Sequence, residues 1–434
     1  MCKTTTVQVE IYDIKMRKYL LLLFLGLSQI VYGQEASKDK SAEQPYKKSA
    51  IVKSLKAQMK VGNYSAVVDE TNKAFKKYTE ADGDAELHNY QVKALEQMVL
   101  AENKNMYLAT RPDTTKYFGY MYQMYEQALF CDSLEQIPTL DGKTVFRYRY
   151  TNAETLLKYR KNLKMSCRYF YRKKDYKDAF KYSDLYYKSK SAPIFTGKKG
   201  ESLMPDEKDN IEISVMAVVS AYGSHNNNGV VSYLHEAMKD KNMCYTVLEL
   251  GCKAYLALGD TTNYLEHCTK GFNEKPEQEF FFMSLLKYNI DNAQHNKCLE
   301  LANTMVQKFP KNRNYWFIKA KEEEILGKGD DAIASYYKAI ELKEDDAEAY
   351  SYIGSIYTNK AQDMYSRNTL SVTNPGYKEF KSKLKAVYTK AKEAYESARK
   401  FAPKNNALWY EGLKNSYFKL NMGRELKQLE ALKK

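Results

Sequence analysis

A spacing of 34 residues recurs through the second half of this chain and limits its fold more than any other feature. Ala237, Gly271, Met305 and Ala339 form a column of small or slim residues at that interval, and Leu248, Phe282, Trp316 and Tyr350 form a bulky column beside it. Pro276 and Pro310 also stand 34 apart, with Glu344 at the next step, each where a helical pattern ends. Proline takes that place because it cannot continue a helix. A fixed period with bulky, small and terminating positions describes a helical unit too small to bury its own apolar face, so it stacks on its copies. The composition agrees, since 19 glycines and 9 prolines in 434 residues suit long helices joined by short connections.

The columns resemble the tetratricopeptide repeat (TPR). The fullest unit begins at Ala347, where Tyr350, Ile353, Gly354 and Tyr357 follow the first-helix pattern of aromatic, aliphatic, small and aromatic. Ala391, Tyr395, Ala398 and Pro403 follow the second-helix pattern after 25 extra residues. The preceding unit keeps Trp316, Ala320, Gly327, Ala332, Tyr336 and Ala339, but has Lys319 and Glu323 where apolar residues are usual. The resemblance spans residues 245–405 and fades on either side, with partial echoes at Asp175 to Phe180 and at Gly62-Asn63-Tyr64. It implies an all-α fold, a right-handed superhelical solenoid of seven or eight antiparallel helix pairs. Small residues such as Gly354 and Ala391 would face each other within a pair, and the aromatic column would fill the gap to the next unit.

Outside the repeats the chain divides by composition. Residues 16–33 carry Arg17 and Lys18, then the apolar run Tyr19 to Leu27, then Val31-Tyr32-Gly33. That order is a secretory signal peptide, too short to span a bilayer. Residues 1–33 are thus expected to be an upstream extension plus signal peptide, and 34–46 a flexible linker. Irregular helical repeats occupy 47–205, regular repeats 206–405 with an insertion at 358–390, and capping helices 406–434. Within the first half, Pro112 interrupts the helices with Asp113 or Thr114 as a cap, and the alternating Val145 to Tyr150 suggests a short strand. Residues 189–210, with Pro193, Gly197, Gly200 and Pro205, mark the boundary between halves. The insertion is expected to be a helical hairpin turning at Thr373-Asn374-Pro375-Gly376.

The leader implies a periplasmic protein with no membrane span in its mature form, which leaves little place for nucleic acid. Cleavage removes four basic and two acidic residues, so the formal charge falls from +14 to +12. Such an excess steers anionic partners. Six cysteines would remain, matching no zinc or redox spacing. Cys252, Cys268 and Cys298 fall in small-residue columns as buried thiols, with a Cys252–Cys268 disulfide as the alternative. The five histidines are scattered, and no nucleophile or phosphate-loop motif is present. The sequence therefore points to no enzyme, no cofactor and no metal. Between Lys158 and Lys190, twelve basic residues face three acids, with aromatics at helical spacing, which reads as a solvated basic face over a packed aromatic one, or as a site for an anionic glycan or lipid headgroup.

What the resemblance implies is a non-catalytic scaffold of the bacterial cell envelope that binds a protein or peptide in a groove lined by first helices. A carbohydrate-capture protein on the same scaffold is the alternative. Lys253, Lys287 and Lys321 stand 34 apart on that face, one residue past Cys252, Leu286 and Ala320. They form a candidate ladder for an acidic or carboxylate-bearing segment, with Phe280, Met283 and Phe317 as apolar contacts.

Overall fold

The computed structural model describes residues 46–108, 113–205 and 210–432. The leader and all but the last residue of the expected linker lie outside the described residues. The described residues from Lys53 onward pack as one compact unit, to which the side-chain contacts named below belong.

The described residues form twenty α-helices, eighteen of them in nine successive pairs. The first half contains α1 (Lys48–Lys60) with α2 (Tyr64–Lys77), α4 (Ala85–Tyr107) with α5 (Thr114–Glu135), and α7 (Arg160–Arg172) with α8 (Tyr176–Lys190). The short helices α3 (Thr79–Asp82) and α6 (Arg149–Lys158) lie between pairs. The second half pairs α9 (Ile211–Gly223) with α10 (Asn227–Ala237), α11 (Cys244–Ala257) with α12 (Thr261–Glu274), and α13 (Glu279–Asp291) with α14 (His295–Lys308). It continues with α15 (Arg313–Ile325) and α16 (Gly329–Leu342), α17 (Ala347–Ser366) and α18 (Tyr377–Phe401), and ends with α19 (Tyr410–Lys419) and α20 (Gly423–Ala431). Second helices α10, α12, α14 and α16 start at residues 227, 261, 295 and 329, a strict step of 34.

The turns inside seven of the nine pairs share one backbone device. Gly62, Lys174, His225, Gly259, Ala293, Gly327 and Asn421 all have φ between +54° and +75°, two residues before a second helix. The next amide donates back to the carbonyl five residues earlier, as from Gln294 to Asn289 (2.8 Å) and from Lys328 to Glu323 (2.8 Å). This is the Schellman closure of a helix C-terminus. Asp or Asn then caps several of the following helices, Asp175, Asn226 and Asp260 among them.

Packing follows the small-residue column, since Ala237, Met305 and Ala339 are fully buried. The bulky column is only partly interior: Leu248 and Phe282 are buried, while Trp316 and Tyr350 are half-exposed. One residue earlier, Val247, Phe281, Tyr315 and Ala349 are buried in every unit. Gly354 lies under the Tyr395 ring, one turn beyond Ala391 on the paired helix, and an added Cβ would come within 2.8 Å of it. Trp409, Tyr410, Leu413 and Tyr417 pack on Ala391, Tyr395 and Ala398 to close the C-terminal end.

Residues 145–150 form no strand, and the reason is electrostatic. Glu135, at the end of α5, accepts backbone N–H bonds from Arg147, Tyr148 and Arg149 at 2.7–3.1 Å, turning the chain into α6. A carboxylate at a helix N-terminus is well placed by dipole and donors alike. Arg149 forks onto Asp132 at 2.5 and 3.0 Å, with both side chains buried. Asp113 caps α5 through the Lys116 amide. The 189–205 segment is folded back: Pro193–Phe195 forms a 3-10 turn with Ile194 and Phe195 buried, and Leu203 N donates to Phe195 O. In the insertion, α17 and α18 reach 20 and 25 residues against 13–14 in the preceding pairs α13 to α16, so they project beyond their neighbours by about two to three turns.

Candidate functional site

The residues on which the sequence places partner binding lie on the first helices α11, α13 and α15. Each lysine is one step past a buried position, Cys252, Leu286 or Ala320, and so turns off the packed seam. The three then diverge in their surroundings. Lys253 Nζ meets Glu249 Oε1 at 2.6 Å, and the other Glu249 oxygen accepts from Gln278 Nε2 at 2.8 Å. The same ammonium stands 5.1 Å from the Phe280 ring and 5.9 Å from the Tyr222 ring, touching the units before and after its own. Lys321 repeats this arrangement. Its Nζ is 3.5 Å from Glu324 Oε2 and 3.8 Å from the Tyr352 ring on α17. Lys287 pairs only with Asp291, at 2.9 Å, and its side chain is 77% exposed. The outer lysines are therefore each held by a carboxylate and a ring, while the middle one stands in water.

The apolar members differ in the same way. Met283 is 44% exposed, whereas Phe280 and Phe317 are half-buried against their neighbours. Phe317 meets Tyr336 and Tyr352 edge-on at 5.4 and 5.7 Å, under the Arg313 guanidinium at 4.1 Å. Arg313 in turn forks onto the buried Asp346 at 2.5 and 2.6 Å. Leu256 and Ile290, three residues past their lysines, are 58% and 45% exposed, and Tyr222 one period earlier is 38% exposed. Tyr222 and Tyr352 are not among the residues the sequence singles out, although Tyr222 lies 34 before Leu256 and so within reach of the period.

Elsewhere the suspect groups have structural partners. His88 is buried between Gln127 Oε1 (2.7 Å) and Asp82 O (2.8 Å) and stacks on Phe75. In the basic stretch, Phe170, Tyr182 and Tyr186 are buried and Arg160 lies over Tyr186. Arg168 pairs with Glu212, and Lys188 with Asp184 at 2.8 Å. All six described cysteines carry free thiols. The neighbouring Cys268 thiol, together with burial, pushes the Cys252 thiol up. Metal-competent donors gather at one place among the described residues: His295 and Cys298 of α14 with Glu322 of α15. No described helix is long and apolar enough to cross a membrane.

Pairs that repeat every 34 residues, each closed by the same turn and stacked on the next, settle the architecture. The chain folds as an α-solenoid of TPR-like helix pairs. No protein-family model and no curated protein matches it. Among solved structures, the MamA protein is similar at 17% identity and a TM-score of 0.34, over 44% of this chain and 90% of its own. The C-terminal part of a TPR repeat-containing protein from Cytophaga hutchinsonii is similar at 11% identity and a TM-score of 0.40, over 61% and 90%. A TPR protein from Bacteroides fragilis is similar at 15% identity and a TM-score of 0.28, over 63% and 98%.

Proposed function

We propose that the protein is a non-catalytic scaffold of a bacterial cell envelope that binds a segment of another protein along the exposed faces of the first helices α9, α11, α13 and α15. The observation that carries this reading is the set of exposed apolar residues Tyr222, Leu256 and Ile290 at 34-residue intervals, with Met283 among them, on helices whose other faces are packed. A segment laid across successive units covers such a series together, which is how helical-repeat surfaces recover apolar burial. The flanking lysines suit an acidic segment or a C-terminal carboxylate. Lys287 is the readiest to exchange its partner, because an ion pair as exposed as its pair with Asp291 is worth at most about 1 kcal/mol. The envelope location is supported by the leader pattern from Arg17 to Gly33 and by the basic charge of the remainder.

The test compares envelope proteins retained by the immobilised wild-type chain with those retained by two variants of unchanged helicity and melting. One is Leu256→Asp with Ile290→Asp, the other Lys253→Ala with Lys287→Ala and Lys321→Ala. A defined protein held by wild type should be lost from the first variant and bound more weakly, with less salt dependence, by the second. Identical retention by all three chains, or retention of glycan with no protein partner, overturns the reading.

A further inference from the structure

The sequence assigns no metal ligand, yet one junction between repeats gathers three donors of the kind that bind a transition metal. His295 and Cys298 lie three residues apart in the first turn of α14, a spacing that puts both on one helix face. Glu322 reaches them from α15, the first helix of the next unit. An imidazole nitrogen, the Cys298 sulfur and a Glu322 carboxylate oxygen all lie within 4.8 Å of one another. We propose that His295, Cys298 and Glu322 bind Zn2+ and that the ion fastens the pair α13–α14 to the pair α15–α16.

Ligand chemistry, burial and existing partners each support the site. One thiol, one imidazole and one carboxylate make a borderline set that suits zinc, and not the all-oxygen shell of calcium or magnesium. Cys298 and Glu322 are 0% and 4% exposed, while the His295 side chain is 25% exposed, so solvent reaches the cluster from one side. That opening provides an entry path and a water for the fourth position of a tetrahedral ion. The Cys298 thiol makes only a long hydrogen bond, to Leu286 O at 3.9 Å. Glu322 is engaged only by His295 Nδ1, at 2.8 Å. Neighbouring carboxylates are committed elsewhere, Glu323 to Ser335 at 2.6 Å and Glu324 to Tyr336 at 3.2 Å. Gln294, next to His295 at the head of α14, leaves its side-chain oxygen buried without a hydrogen-bond partner. Ligand atoms around tetrahedral zinc stand roughly 3.3–3.8 Å apart, so closing the cluster asks for about 1 Å of side-chain rotation. On binding, the Cys298 proton leaves to solvent and the thiolate takes its place on the metal.

The rival arrangement is an imidazole–carboxylate hydrogen bond beside an inert thiol, and cobalt distinguishes the two. The full chain, stripped by chelator, is titrated with Co2+ and then with Zn2+. One equivalent of Co2+ should produce the near-ultraviolet thiolate-to-cobalt charge-transfer band with the visible bands of a tetrahedral ion, and Zn2+ should abolish both. Cys298→Ser should lose the charge-transfer band, and His295→Asn, at a more exposed position, should weaken cobalt binding about tenfold or more. Zn2+ should raise the melting temperature of wild type but not of Cys298→Ser. No charge-transfer band in wild type, or a band that persists in Cys298→Ser, overturns the proposal and leaves the His295–Glu322 hydrogen bond alone.

Discussion

Tyr395 shows how single residues set the spacing of this stack. Its ring is wedged between Gly354 of α17 and Gly412 of α19, and a Cβ added at Gly412 would meet three of its carbons at 2.1–2.5 Å. Two effects then compete in Gly412→Ala. Alanine is favoured over glycine in a helix interior by about 1 kcal/mol, but overpacking costs about 1–3 kcal/mol when the obstacle is an anchored ring. The ring is 7% exposed and held from both sides, so the clash should win, with a net loss of roughly 1–2 kcal/mol read as a lower urea midpoint at unchanged slope. Gly119, inside α5 with nothing within 4 Å of its absent Cβ, is the control. Gly119→Ala should stabilise, and equal behaviour of the two variants would show that Tyr395 yields freely. At this scale the sequence marks Gly354 as a close-packed position but not the ring that covers it, because an aromatic on the next helix, beyond the insertion, leaves no local pattern.

The turns inside the pairs set how each helix folds back, and they were the least legible feature. Positions 225, 259, 293 and 327 share the 34-residue period and the left-handed backbone, yet only two of the four are glycine. Lys174, His225 and Ala293 adopt φ near +55° because the stacked helices impose it, so residue type gives no signal. Ala293 is exposed and has no side-chain hydrogen bond to lose. A left-handed non-glycine residue costs about 1–2 kcal/mol, and glycine returns about 0.4–1 kcal/mol of that through the unfolded state. Ala293→Gly should therefore stabilise by roughly 0.5–1 kcal/mol, and Gly327→Ala should destabilise by a similar amount, as measured by urea unfolding. Unchanged midpoints in both would mean that these turns relax without cost. Residues 145–150 failed as a strand for a related reason. The carboxylate that captures their amides, Glu135, lies more than ten residues upstream and outside any alternating pattern.

Across the whole molecule, the period and the hairpin insertion were readable because they depend on spacing along the chain, whereas contacts between units depend on how successive pairs stagger. The partners of Lys253, Lys287 and Lys321 three or four residues away are visible in the sequence, but the rings of Phe280 and Tyr352 over two of those lysines are not. The donors His295 and Cys298 meet Glu322 only because α14 packs on α15. The same stacking buries many of the 39 tyrosines, and this has a consequence for alkaline stability. Burial pushes the Tyr117 and Tyr187 hydroxyls up to about 12. Burial, helped by the hydrogen bond to Glu396, does the same for Tyr417. In the unfolded chain these groups titrate near 10. Below pH 10 both states hold the protons and stability is intact. Between pH 10 and 12 the unfolded chain releases protons that the folded chain keeps, so stability falls as pH rises. The melting temperature should stay level through neutral and mildly alkaline pH, then drop steeply from about pH 10. Tyrosinate absorbance should rise in two phases, exposed rings first and buried rings together with the loss of helicity. Tyr417→Phe should soften the alkaline slope by removing one of the released protons. A single absorbance phase near pH 10 with helicity intact would mean that the buried hydroxyls ionise inside the folded stack, and the burial described for them would have to be revised.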